Sequence, residues 1–145
     1  MTRRQSREQA FMILFEKSFH SEAPLDDIIS LGLEQTLLKE DDYSLKLAKE
    51  TWENLEEIDG IIEANSIGWR LSRISKVSLA VLRLAVCEIL FFDDVPVSVS
   101  INEAVEISKK FAAQEDAPFV NGVLGSVARS LNPGQDSNDQ EGEDE

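Results

Sequence analysis

Apolar residues in this chain return every three or four positions, the spacing of a helix, and seldom every two, the spacing of a strand. Phe11, Leu14, Phe15 and Phe19 share one face of a first helix, for which Thr2 and Ser6 are both competent caps. A short second helix is expected after Pro24, with Leu25, Ile28, Ile29 and Leu33 turned inward. A longer third helix starts near Asp41 and Asp42, whose charges suit the positive end of a helix dipole. Its stripe of Leu45, Ala48, Trp52, Leu55 and Ile62 is close to a heptad and runs to the stretch "ANSIG". Gly68 and Trp69 lead into a central helix over roughly Lys76 to Phe92, apolar nearly all round and therefore surrounded by other helices.

In "DDVPVSVSINEAVEISKKF", Ser100 followed by Glu103 forms a capping-box pattern, which predicts that the next helix begins there. Ile101, Ala104, Val105, Ser108 and Phe111 then face inward, while Asn102, Glu103, Glu106, Lys109 and Lys110 face water. Pro118, at a first-turn position, opens the last helix. That segment, "PFVNGVLGSV", carries an Asn-Gly pair, which in isolation signals a β-hairpin. The neighbours decide otherwise: Phe119, Val120, Val123, Leu124, Val127 and Leu131 follow a helical stripe. Asn121 and Gly122 thus sit inside a helix, where glycine costs about 1 kcal/mol against alanine. Something besides helix propensity selects them, and Gly122 and Gly125 are expected to let a neighbouring helix approach closely.

No run of β-branched residues alternates between turns, so the expected fold class is all-α. The 145 residues suffice for one self-sufficient domain, read as residues 1–131. Residues 132–145, "NPGQDSNDQEGEDE", are read as a disordered acidic tail. The formal charge is −14; six carboxylates and no Lys or Arg lie in that tail, which leaves −8 on residues 1–131. The apolar run from Leu79 to Phe92 contains Arg83 and Glu88 and is too short for a membrane span. The short apolar stretch after the first arginines, flanked by Glu8 and Glu16, is no signal peptide, and a cytoplasmic protein is expected. Cys87, the single cysteine, reads as a buried reduced thiol.

Catalytic constellations are missing from the pattern. There is no metal-ligand spacing, no nucleophile–base pair and no phosphate-binding glycine loop, so neither an enzyme nor a cofactor is expected. Arg83 and Glu88 stand five residues apart on the central helix and are expected to pair with groups elsewhere rather than with each other. The charge asymmetry at the start is more informative, because "TRRQSRE" holds Arg3, Arg4 and Arg7 against one glutamate on an acidic body. Cations in a first helical turn oppose the macrodipole, at about 0.3–1 kcal/mol each, whereas a bound phosphate reverses that sign. The three arginines are therefore either solvated surface or phosphate contacts.

Taken together, "REQAFMILF", "GWRLSRISKVSLAVLRLAVCE", "ILFFDDVPVSVSINEAVEISKKF" and "PFVNGVL" resemble, in order and spacing over residues 3–131, the NusB family of bacterial transcription antitermination factors. The resemblance implies about seven helices in two packed bundles. It also implies pairing with the ribosomal protein NusE, binding to boxA-type single-stranded RNA, and work within the transcription elongation complex. Carried over by position, its RNA-binding residues are Arg3, Arg4, Arg7, Phe119 and Asn121. Asn121 would hydrogen-bond a base or the RNA backbone and Phe119 would stack on a base, core packing being the alternative for the ring.

The chain departs from the family pattern at three places: Gln5 interrupts the basic cluster, Pro118 replaces a cation, and Gly125 stands where aspartate is common. Two further readings compete. One is an adaptor whose partner is protein alone, its acidic surface excluding RNA. The other follows from the same domain fronting some ribosomal RNA cytosine methyltransferases; the segment after Leu131 leaves no room for a cofactor-binding domain, which counts against it.

Overall fold

The computed structural model describes residues 1–131; the expected acidic tail lies outside the described residues. Among these residues there are seven helices and no strand: α1 (Arg3–Lys17), α2 (Leu25–Glu34), α3 (Asp42–Glu53), α4 (Leu55–Asn65), α5 (Lys76–Phe91), α6 (Val97–Phe111) and α7 (Asp116–Leu131). A single 3-10 turn, Leu71–Arg73, precedes α5. No helix among them is long and apolar enough to cross a membrane.

The helices form two bundles that share α5. On one side α1, α2 and α3 pack together, and α1 and α3 lean on α5; on the other, α4, α6 and α7 close round it. Val81, Leu82, Val86 and Cys87 of α5 are fully enclosed, which accounts for a helix that is apolar nearly all round. Burial pushes the Cys87 thiol up to about 12, so it stays protonated and unreactive in the folded chain.

Two boundaries differ from the sequence reading. The expected long third helix is two helices, broken at Asn54, whose φ of −110° and ψ of 23° leave the helical range. The Asn54 side chain donates to the Glu50 carbonyl at 2.8 Å, the local competition by which asparagine ends helices. The sixth helix begins at Val97, not Ser100, because Pro96 supplies the fixed φ of a helix entry one turn earlier. Ser100 is thereby released from capping and lies buried inside α6.

Polar ties set how the helices sit. Arg83 of α5 donates two hydrogen bonds to Asp59 of α4, at 2.8 and 2.9 Å. Buried Gln9 of α1 holds the segment before α3 by bonding both the N–H and the C=O of Lys39 and the Ser44 hydroxyl. Gly68, at φ +81°, takes a backbone conformation that side chains disfavour and turns the chain from α4 toward α5.

Candidate nucleic-acid interface

Gln5, which interrupts the arginine run, fixes the start of α1. The Gln5 N–H donates to Thr2 Oγ1 at 3.1 Å and the Thr2 N–H donates to Gln5 Oε1 at 2.8 Å, so Thr2 rather than Ser6 is the cap. Arg3, Arg4 and Arg7 are then placed on the first two turns, and each meets a different environment.

Arg3 is exposed, with its guanidinium 3.7 Å from the centroid of the Tyr43 ring, a cation–π contact. Arg4 forks onto Glu103 of α6, with Nε to Oε1 at 3.1 Å and Nη2 to Oε2 at 2.7 Å. The Arg4 side chain keeps 55% of its surface exposed while that of Glu103 keeps 15%, so the cation is at the surface and the carboxylate lies beneath it. The hydrogen bond from Arg4 holds the Glu103 carboxyl below the usual glutamate range.

Arg7 is different. It is buried, and its Nε donates to both carboxylate oxygens of Glu88, at 2.8 and 3.1 Å. Glu88, buried in α5, also accepts from the Tyr43 hydroxyl of α3 and from Ser100 Oγ of α6 at 2.6 Å. One carboxylate thus joins α1, α3, α5 and α6 with every oxygen partnered, the condition under which a buried charge is tolerated. Arg7 Nη1 also lies 3.6 Å from Glu103. The expected partner of Glu88 away from its own helix is therefore Arg7, and Arg7 stands in the core rather than on the surface.

On α7, Phe119 and Asn121 are two residues apart and so face roughly opposite ways, about 200° round the helix. Phe119 is half-buried against the core and meets the half-exposed Trp69 ring edge-on, centroids 6.1 Å apart. Asn121 is exposed and lines an open groove of about 730 Å³ between the start of α1, α6 and α7. Arg4, Glu103, Glu106, Lys109 and Pro118 line the same groove. The close helix approach expected at Gly122 and Gly125 is not there. A Cβ at Gly122 would meet open space, and one at Gly125 would meet only Arg129 of its own helix, at 3.4 Å.

Of the five residues singled out in the sequence, the fold brings Arg4 and Asn121 into one groove, sets Arg3 outside it on Tyr43 of α3, turns Phe119 to the other side of α7 and buries Arg7. Glu103, Tyr43 and Trp69 are the contacts of these five residues that sequence reasoning does not single out. Glu103 was absorbed by an apparent capping box, and nothing in its spacing points to an arginine that is 99 residues away.

The NusB family profile matches residues 4–129, which takes in Arg4, Arg7 and the Asn-Gly segment. The chain belongs to the NusB family. A transcription antitermination protein NusB from Acetivibrio thermocellus is 43% identical over 146 residues, covering 99% of this chain and all of that protein. Among solved structures, T. maritima NusB superposes with a TM-score of 0.80 at 34% identity, covering 89% of this chain and 92% of that one. A crystal structure described as antitermination factors NusB and NusE in complex with dsRNA matches with a TM-score of 0.77 at 28% identity, over 90% of this chain and 99% of that one. The NusB fold accounts for the seven helices, one more than the hydrophobic pattern alone gives.

Proposed function

We propose that this protein is a transcription antitermination factor that pairs with NusE and binds boxA-type RNA at the groove between α1, α6 and α7. The observation that carries the site is the meeting of Arg4 and Asn121, from opposite ends of the chain, on one open surface. A guanidinium suits a phosphate and an exposed amide suits a base edge or the RNA backbone, so the pair offers both a positioning and a specifying contact. Arg3, over the Tyr43 ring, adds a second exposed cation on the first turn of α1, and the Trp69–Phe119 pair, on the other side of α7 from the groove, offers a ring for RNA that continues round that helix. Arg7 serves the site indirectly by fixing α1 to Glu88. The protein acts by binding and not by catalysis, in the cytoplasm, and needs no cofactor.

An acidic body of −8 repels RNA at long range, and a basic partner offsets that repulsion. Affinity for RNA is therefore expected to be low alone and to rise when NusE is present. Fluorescence anisotropy of labelled boxA RNA, with and without NusE at fixed salt, measures this. Equal affinity in both arms removes the cooperative part of the reading; no RNA binding in either arm favours the adaptor that contacts protein alone.

A further inference from the structure

The groove is electrically balanced by its own walls. Its lining carries two cations, Arg4 and Lys109, and two carboxylates, Glu103 and Glu106, and each cation is held by one of them. We infer that Glu103 is a built-in competitor for RNA phosphate: it occupies the Nε–Nη2 edge of Arg4, the edge that a phosphate would otherwise take bidentately. The inference rests on the RNA-binding reading of the groove and says what sets the affinity there.

Three observations support a contact made to be exchanged. The Arg4–Glu103 fork uses the planar edge with which arginine takes a phosphate bidentately, so the two anions compete for one set of donors. Arg4 has 55% of its side chain exposed, so its guanidinium is open to an incoming anion. Glu103 is not orphaned when Arg4 leaves, because Arg7 Nη1 stays 3.6 Å away and Arg7 is itself fixed by Glu88. A carboxylate between one movable and one fixed arginine has a partner in both states. Lys109 and Glu106, 3.4 Å apart and both well exposed, repeat the arrangement in weaker form further along α6.

Ion pairs at the surface are weak, so removal of this one is expected to change affinity by at most roughly fivefold. The test is anisotropy with labelled single-stranded boxA RNA on the full chain, comparing the parent with Arg4→Ala, Glu103→Gln, the double variant and Glu56→Gln. Glu56 is an exposed glutamate that does not line the groove, so its replacement removes the same charge elsewhere. Arg4→Ala should weaken binding, Glu103→Gln should tighten it roughly two- to fivefold, Glu56→Gln should tighten it less, and the gain should vanish in the double variant. Binding by Glu103→Gln equal to or weaker than the parent, with Arg4→Ala still weakening it, overturns the competition and makes Glu103 a support for Arg4. A gain matched by Glu56→Gln, or one that survives without Arg4, also overturns it. If Arg4→Ala binds as well as the parent, the site reading itself fails and the inference falls with it. Glu106→Gln, at an exposed position, gives a second measurement: a gain that disappears with Lys109→Ala supports the competition, and a gain that survives Lys109→Ala counts against it.

Discussion

Arg7 and Glu88, 81 residues apart in the chain, meet at 2.8 Å in the interior, with 7% and 2% of their side chains exposed. The contact joins the N-terminal helix to the helix that both bundles share. Removal of one partner leaves an uncompensated buried charge, which costs about 3–5 kcal/mol. Arg7→Ala and Glu88→Ala should each lower stability by that amount in chemical denaturation, whereas Arg3→Ala should leave it nearly unchanged. Replacing all three arginines together is for this reason no test of RNA contact.

The clean test is the double variant Arg3→Ala, Arg4→Ala. If both touch phosphate, the salt dependence of RNA binding should flatten by roughly 0.7 in slope for each phosphate no longer neutralised. The melting temperature should stay within a degree or two, since surface pairs contribute little. An unaltered salt slope would make both arginines solvated surface.

Asn121→Ala should act on specificity instead. Base contacts specify and phosphate contacts position, so preference for boxA over a scrambled sequence should fall while the salt slope holds. Competition binding with the two RNAs reads this directly. The side chain is exposed, so the fold should be indifferent to the change.

Tyr43 separates structure from recognition. Tyr43→Phe removes the hydroxyl that donates to Glu88 but keeps the ring beneath Arg3. Loss of a hydrogen bond to a buried carboxylate costs about 1.5–3 kcal/mol. Stability should drop by that much with RNA affinity retained, and Tyr43→Ala should lose both. Equal RNA binding by the two variants would show that the stack on Arg3 does nothing for the site.

The Glu103 carboxyl also leaves a mark on acid stability. Hydrogen bonding from Arg4 lowers its folded pKa beneath the ordinary value of 4.5. The ionised form is the one the fold favours, so the stabilisation is complete above the unfolded pKa and is lost as pH falls through the lower folded value. Glu103→Gln should therefore show a smaller stability loss than the parent below about pH 4.5, in denaturation curves collected at a series of pH values.

The helices were legible in the sequence because one pattern, apolar residues at helical spacing, is written locally. Their ends were less so. Asn54 breaks a run whose stripe continues on both sides, and Ser100 matches a capping box that Pro96 pre-empts one turn upstream. Asn54 bonds the Glu50 carbonyl instead of continuing the helix, and Ser100, freed from capping by Pro96, bonds Glu88. Of the site, Arg4 and Asn121 were legible as residue types, but their meeting was not, since it depends on how α1 and α7 dock. Burial of Arg7 had a sequence signal that the charge masked: positions 7, 11 and 14 are one helical stripe, and Phe11 and Leu14 are core.

Cys87 makes the shared helix its own reporter. A thiol with no exposed surface and a pKa pushed up to about 12 by burial is silent to alkylating reagents while α5 is enclosed. Each labelling event therefore counts an excursion in which the neighbouring helices have parted. The native chain, with no engineered probe, carries a clock for opening, and comparing its rate with the rate of global unfolding tells whether the two bundles ever separate on their own.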